Sequence, residues 1–489
     1  MALIGRGVTK EDVIAFCGQN SIQHLVLRFM TAFLGLTFVP LSPGFGKYEL
    51  KHMCESTGAT IVMSSAQDFH KFDWLLDDRG NLASAVVIKH VVIFDGKHDT
   101  HVTFDTLLAE GGVGRTLSRY PHFVVHPDTD MCFLIHTSGT TGPLKCAMIP
   151  HRAVISACGE TRLFNYDRID GQVVCATVHP FGHISGTYLI PMQVLNGVHC
   201  ILFAELTEQS LMRGIEKYNI NVLAVFPEMA RKLIDGDLVG KYDMSSLKCI
   251  NTGGAGVPGN IAKEIIKKYG IWFKEGYGMT ELTWVTDGSD LNDEFIPGNT
   301  GNVSPGCEVK VIDLNTGESV GPNQDGEICV RGEKLFAGYL NNEMATKAAI
   351  NRDGWYRTGD IGRYDDRERI FITDRLKDVF HVVVNNHYMN VSPVEIEQHL
   401  LTHPSIAEVA VVGVNNKAGT QWPRAYVVLK ANVSNITGTQ IDEYVSDTLA
   451  DYKRLKAGVV FIDAIKRTES EKVDRKYYRS LVKDEVLDY

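Results

Sequence analysis

The sequence predicts an α/β fold: a large N-terminal domain of helix-covered sheets, a small β-rich subdomain, and a small α+β domain at the C-terminus. Three observations carry this. Over the first two-thirds of the 489 residues, apolar strand-like runs alternate with helical stretches, the pattern of sheets covered by helices. After residue 300, strand-like runs are joined by turns rich in Gly, Asn and Asp. A charged segment, Asp374-Arg375-Leu376-Lys377-Asp378, then precedes a final run that mixes helices and strands. The expected boundaries are 1–374, a linker at 375–380, and 381–489.

Taken in order, Asp12–Phe16 is a short apolar strand, and Ile22–Leu36 is mostly apolar and long enough for a helix. Thr60–Met63 and Ala85–Phe94 contain strand-like runs, and Met131–Ile135 is a buried strand. Val173–Val178 is another, followed by His179-Pro180-Phe181-Gly182-His183 and the apolar stretch Leu189–Leu195. Val198–Phe203 is strand-like, Leu211–Tyr218 a helix and Val222–Phe226 a strand. Leu247–Ile250 is a strand that runs into Thr252-Gly253-Gly254-Ala255-Gly256. Glu308–Leu314, Gly326–Arg331 and Arg369–Thr373 are the strands of the β-rich unit. Beyond the charged segment, Pro393–Leu401, Ile441–Leu449 and Arg475–Val482 are expected as helices, and Val409–Val414, Ala425–Leu429 and Val459–Ile462 as strands.

Composition sets the class. Hydrophobic residues make up 44% and charged residues 22%, ordinary values for a globular chain. Such a length exceeds one core, so two or more domains are expected. The net charge of −10 comes without a basic patch, which argues against nucleic acid as the main partner. Ten scattered cysteines show no Cys-x-x-Cys spacing, so buried reduced thiols in a reducing compartment are expected. No signal-peptide pattern opens the chain, and no apolar run is long enough to span a bilayer. The expected place is the cytoplasm. A peroxisomal place stays open, although Leu487-Asp488-Tyr489 is no Ser-Lys-Leu address.

The stretch His136-Thr137-Ser138-Gly139-Thr140-Thr141-Gly142-Pro143-Leu144-Lys145 gathers hydroxyls, glycines and a lysine after a buried strand. Successive N–H groups in such a turn form an anion site, to which the hydroxyls and Lys145 add donors and charge. It is no Walker A loop, and an ordinary polar turn would read the same way. Four more segments sharpen it. Thr252–Gly256 offers a nearly bare backbone against which a flat base can lie. Gly276-Tyr277-Gly278-Met279-Thr280-Glu281 presents an aromatic face, a hydroxyl and a carboxylate. Tyr356-Arg357-Thr358-Gly359-Asp360 puts a carboxylate in a tight turn, and Lys472 lies before the last helix. Each alone is compatible with a glycine turn, a core tyrosine or a solvated carboxylate.

Together, in this order, they resemble the adenylate-forming superfamily: acyl-CoA synthetases, 4-coumarate–CoA ligases, firefly-type luciferases and peptide-synthetase adenylation domains. The likeness spans essentially the whole chain and is nearest the luciferase and 4-coumarate ligase branch. It also takes in Pro322–Gly332, Gly338-Tyr339-Leu340-Asn341-Asn342, Asp353-Gly354-Trp355-Tyr356 and Val391–Glu397. The resemblance implies an ATP- and Mg²⁺-dependent acid–thiol ligase. It would convert a fatty or aromatic carboxylic acid to an acyl-adenylate with release of pyrophosphate, then pass the acyl group to coenzyme A. By the same resemblance, Thr137, Ser138, Gly139, Thr140, Thr141, Gly142 and Lys145 hold the ATP phosphates. Gly254, Ala255, Tyr277 and Gly278 flank the adenine, and Thr280 meets the α-phosphate. Glu281 helps hold Mg²⁺, and Asp360 takes the ribose hydroxyls with Arg375 nearby. Lys377 is the hinge about which a mobile C-terminal domain turns. Lys472 bridges the reacting carboxylate and the α-phosphate. His183, with Gly254 and Tyr277, borders the acyl substrate.

Departures from the family pattern define the runner-up, a degenerate nucleotide- or acyl-binding relative. Met1 falls where relatives have already formed a helix and a strand, so a chain truncated at its start is expected. The phosphate loop ends Pro143-Leu144-Lys145-Cys146, with Pro and Leu exchanged and a glycine lost, and Gly256 stands for a usual proline. Glu471 precedes Lys472 in place of glycine. The segment His381–Asn390 is longer than its counterparts and lacks glycine. It is expected either to border the thiol path or to be a solvated loop.

Overall fold

The computed structural model describes the chain except for residues 1, 77–81, 83–86, 97, 99, 113–122, 138–144, 160–168, 204, 236–237, 255–256, 258, 287, 289–293, 315, 376–379, 385–386, 392, 418, 432, 434–435, 467–472 and 489. It falls into two units. One comprises Met1–Pro43, Cys54–Ile135 and Cys146–Leu376; the other comprises Gly44–Met53, His136–Lys145 and Lys377–Tyr489.

Among the described residues the first unit is built on three larger sheets and one two-stranded hairpin. One has eight strands, in the order Gly338–Tyr339, Lys145–Pro150, Met131–Thr137, Thr37–Leu41, Val13–Cys17, Ile61–Ser64, His90–Ile93 and Val102–Thr103. Val13–Cys17 pairs in parallel on both sides. A parallel strand covered on both faces reads as an unbroken apolar run, and Ile14, Ala15, Phe16 and Cys17 are all buried. The helix beside it, Ile22–Leu34, starts where the Ser21 side chain accepts the His24 N–H. It stops two residues short of the expected end because Gly35 takes the left-handed conformation, φ 74°.

The second sheet is wholly parallel, ordered Trp272–Gly276, Cys249–Gly253, Val222–Val225, Val174–Thr177 and His199–Leu202. Its register sets Asn251 beside Lys274 and Gly253 beside Gly276. The β-rich texture after residue 300 is an antiparallel sheet of Asn299–Asn302, Arg369–Arg375, Tyr356–Tyr364, Gly326–Gly332 and Cys307–Ile312.

The second unit carries a four-stranded sheet, Val459–Phe461, Gln421–Leu429, Ile406–Asn416 and Val486–Leu487, with helices Pro393–Leu400, Gly438–Ser446 and Arg475–Leu481. The middle helix begins three residues before the expected Ile441, where Thr437 and Gln440 form a reciprocal capping box. The segment expected as insertion or loop is a hairpin, Phe380–Val384 with His387–Val391. Phe380, Val382 and Val391 enter the core with Leu400, Val411 and Ile441. Gly413 leaves room for the Phe380 ring, which would lie 2.6 Å from a Cβ there. Lys453, 1% exposed, is held between Glu49 and Glu395, its ammonium 2.6 Å from the Glu395 carboxylate. Removing Lys453 would leave the two acids facing each other without a counter-charge in a dry site.

All ten cysteines are free thiols. No helix of the described residues is long and apolar enough to cross a membrane.

One buried acid makes stability depend on pH. Glu275 is 4% exposed; the Val257 N–H donates to its Oε1 at 2.6 Å, and Oε2 meets no donor among the described residues. Burial pushes this carboxyl up to about 7, against the opposing pull of the Val257 and Gly298 N–H groups. The folded state therefore holds the proton more tightly than the unfolded one. The stabilisation is complete below the ordinary value of 4.5 and is lost as pH rises through about 7. Glu275→Gln keeps an acceptor for Val257 and removes the ionisation. Relative to the parent, it should gain about 1–3 kcal/mol between pH 5 and pH 8, read from urea midpoints. An offset equal at the two pH values would refute the assignment.

Candidate active site

The parallel strands Cys249–Gly253 and Trp272–Gly276 end side by side, where ligands of open α/β sheets commonly bind. Beyond them the chain must turn sharply. Gly254 has φ 84°, and a Cβ there would meet the Phe226 ring at 3.4 Å. Gly278 opens a tight hairpin, Gly278–Met279 against Thr283–Trp284. A Cβ on Gly278 would lie 2.0 Å from the Thr283 carbonyl oxygen, so only glycine fits. Bare backbone therefore lines one wall of a pocket of about 750 Å³, its open mouth included.

The opposite wall is the start of helix Ile184–Leu195. His183 is its N-cap, and its Nδ1 accepts the Ser185 N–H at 3.2 Å. The neutral ring then carries its proton on Nε2. The Ser185 hydroxyl lies 2.7 Å from His183 Nδ1 and 2.9 Å from His179 Nδ1, and all three residues line the pocket. Phe226 packs edge-on against both imidazoles.

The turn that carries these groups is tied down from beneath. Asn20 donates to the His179 carbonyl and accepts the Phe181 N–H, each at 2.8 Å. Arg28 is 2% exposed and donates to the carbonyls of Phe181 at 2.7 Å, Gly186 at 3.0 Å and Thr187 at 3.3 Å. Burial brings its guanidinium down to about 9. Sequence reading misses both residues, although an arginine inside an otherwise apolar helix is a visible signal.

Past the pocket, between Gly276 and Gly278, Tyr277 donates its hydroxyl to Asp360 Oδ2 at 2.6 Å, with both side chains buried. The Thr286 hydroxyl accepts the Tyr277 N–H at 2.9 Å. Asp360 stands opposite Arg375 in the antiparallel register. Glu281 Oε1 accepts the Tyr339 hydroxyl at 2.7 Å, and the Phe336 N–H bonds its carbonyl. Burial raises both Tyr339 and Tyr356, and the Glu281 charge adds to it, so both stay protonated donors.

Of the residues expected from the sequence, His183, Gly254 and Gly278 line the pocket, while Tyr277 turns its hydroxyl to Asp360. Thr280 is half-buried in the hairpin turn with Glu281. Thr137 ends one strand of the eight-stranded sheet and Lys145 begins its neighbour. Ser138, Gly139, Thr140, Thr141, Gly142, Ala255, Lys377 and Lys472 lie outside the described residues, as does the Arg375 side chain. Cys146, where the family pattern has glycine, is accommodated with its side chain buried in the sheet.

Comparison with known proteins points one way. The family model described as "AMP-binding enzyme" matches residues 1–340, and "AMP-binding enzyme C-terminal domain" matches residues 395–472. The chain is 30% identical to a luciferin 4-monooxygenase of Nipponoluciola cruciata, over 99% of this chain and 87% of that one. It is also 30% identical to 4-coumarate-CoA ligase 1 of Narcissus pseudonarcissus, over 97% and 85%. The amide bond synthetase McbA from Marinactinospora thermotolerans shares the fold, with TM-score 0.82 at 22% identity over 98% and 92% of the chains.

The Arg28 anchor is testable without a substrate. Arg28→Met leaves three carbonyls without their donor, at about 1–3 kcal/mol each before relaxation. Amide exchange across residues 179–187 should rise at least tenfold in the variant (roughly 1.4 kcal/mol of local opening), with Val174–Thr177 unchanged. Unaltered exchange in the turn would show that Arg28 does not hold it.

Proposed function

We propose a function from one premise: the chain belongs to the AMP-binding enzyme family, a family of adenylate-forming enzymes. It activates a fatty or aromatic carboxylic acid with ATP, releases pyrophosphate, and transfers the acyl group to the thiol of coenzyme A. The observation that carries this reading is the glycine-walled pocket continued at Tyr277 and Asp360. The pocket suits an acyl chain, and the buried carboxylate beyond it suits vicinal hydroxyls.

The chemistry asks for these residue types. A carboxylate attacking the α-phosphorus brings two anions together, so the barrier falls when donors and cations meet the developing charge. Thr280, Lys145 and Lys472 supply them in this reading, and no general base is needed for an acid already ionised. Asp360 accepts the ribose hydroxyls, with Tyr277 fixing its orientation. Mg²⁺, when bound, neutralises phosphate charge. Glu281 fits such an ion, because Tyr339 orients one carboxylate oxygen and leaves the other for a ligand. Among the described residues no three acidic, His or Cys groups converge. The ion would then be held by Glu281 with phosphate oxygens, as Mg²⁺ commonly is. The linker at 375–380, with Lys377, is the proposed hinge between the two half-reactions. Ten free thiols favour a cytoplasmic setting.

Two variants test this. Asp360→Ala should raise the KM for ATP at least tenfold and change kcat only a few-fold, since it removes a binding contact made equally in both states. An unchanged KM would overturn the ribose assignment. Lys472→Ala should lose pyrophosphate release yet still convert a synthetic acyl-adenylate and coenzyme A to thioester. Equal loss of both half-reactions would overturn the division of labour.

A further inference from the structure

The pocket is lined by residues whose polar groups the protein itself leaves unsatisfied. Asn251 and Trp284 both line it. Asn251 Nδ2 and Trp284 Nε1 are buried, and neither has a hydrogen-bond partner among the described residues. Buried polar groups of a native fold are paired as a rule, so each exception asks for an explanation. Tyr188 and Thr283 line the same pocket, and their hydroxyls are also without a partner among the described residues.

The chemistry of the missing partner follows from these groups. An indole N–H and an amide NH₂ can only donate. The Asn251 amide is oriented by its neighbour two residues back: Cys249 Sγ donates to Asn251 Oδ1 at 3.6 Å, and burial, which pushes that thiol up to about 12, keeps the proton on it. The amide oxygen is thereby engaged and the NH₂ is left over. The hydroxyls of Tyr188 and Thr283 take either role, so the two N–H groups set the preference. Asn251 pairs with Ala224 in the parallel register, and Trp284 packs against the apolar cluster that holds Leu189, Ala224 and Cys249. The two donors therefore flank one apolar wall. The backbone that presents the indole is strained: Thr283, a β-branched residue, has φ 58°. Such strain persists where the surroundings enforce it, and it gathers at ligand sites.

Depth matters as well. The glycine pair Gly253–Gly276 stands at the strand ends, next to Tyr277. Asn251 stands two residues further in, about 6–7 Å deeper at 3.2–3.4 Å per residue. An acid that reacts near Tyr277 brings the far part of its chain to these donors. A site with buried donors favours a ligand that completes their hydrogen bonds and rejects one that leaves them unpaired.

We propose that Asn251 and Trp284 select carboxylic acids whose far part carries an oxygen acceptor with no proton of its own, a ketone carbonyl above all, over the matching alcohol and hydrocarbon. This rests on the reading of the pocket as the acyl site. Two matched sets of probes test it. The first is 6-oxoheptanoate, 6-hydroxyheptanoate and heptanoate; the second, more rigid, is 4-acetylbenzoate, 4-(1-hydroxyethyl)benzoate and 4-ethylbenzoate. Binding is measured by calorimetry without ATP, and turnover by pyrophosphate release with ATP and Mg²⁺. The parent should bind and turn over the ketone of at least one set tenfold or more better than the hydrocarbon, with the alcohol between them. Asn251→Leu should lose that preference through KM and gain on the hydrocarbon. Trp284→Phe keeps a ring, loses the N–H, and should narrow the preference several-fold. Thermal melting of each variant separates loss of fold from loss of preference. Equal binding within both sets, weak or strong, overturns the proposal, as does better binding of the alcohol or an Asn251→Leu loss that is uniform across probes. Selective binding of the ketones without any pyrophosphate release supports the proposal and overturns the enzymatic reading instead.

Discussion

The hydrogen bond from Tyr277 to Asp360 ties two sheets of opposite character at one point. Tyr277 continues the last strand of the parallel sheet, and Asp360 sits within the antiparallel one. The bond is buried and ends on a carboxylate, the stronger class of hydrogen bond at about 1.5–3 kcal/mol. Its geometry constrains what lies on either side. Upstream, Gly276 keeps the backbone bare. Downstream, Gly278 accepts the close approach of Thr283 that sends Glu281 towards Tyr339. A side chain at Gly278 would push the hairpin off Thr283 and carry both acids out of place. The glycines of this segment are therefore spacing elements for a pair of carboxylates held on separate sheets.

What the sequence discloses follows burial. Val222–Val225 is apolar from end to end and Val174–Thr177 in all but its last residue, because a parallel sheet is covered on both faces, and both are expected as strands. Trp272–Gly276 sits in the same sheet yet escapes the reading, because Lys274 and Glu275 interrupt its apolar pattern. Both are ionisable groups buried in the sheet, and local rules fail most often at such places. The helix Gly259–Tyr269 escapes for another reason. It is amphipathic, with Ala262 and Ile265 buried and Lys263 and Glu264 between them, so its signal lies in a period and not in a run of apolar residues.

The site divides in the same way. Residues carried by motif, such as His183, Gly254, Tyr277, Glu281 and Asp360, are visible because each stands in a short segment marked by glycine, although Asp360 lies within the strand Tyr356–Tyr364 and not in the tight turn expected from the sequence. Asn251 and Lys274 become neighbours only through strand register, and register is not written in either strand alone. Asn20 and Arg28 act through backbone groups 158–161 residues away in the chain, a contact with no local trace. Motif reading thus reaches groups placed by short glycine-marked segments and misses those placed by strand register or those that hold the turns still.

The hairpin Phe380–Val391 shows how packing changes the meaning of an apparent insertion. Read as sequence, the absence of glycine and the extra length suggest a segment free to vary. In the structure its side chains alternate: Phe380 and Val382 face the core, while His381 and Val383 lie half-buried on the other side. Gly413 has given up its side chain to admit Phe380. Exchanging the whole segment for a short turn would remove three core residues, and large-to-small losses in a packed core cost about 2–5 kcal/mol each. Any effect of that exchange on thioester formation would be confounded with loss of the unit. Among the described side chains, a role in guiding a thiol can be isolated on the half-buried face, at His381 and Val383, where a substitution spares the Phe380, Val382 and Val391 cluster.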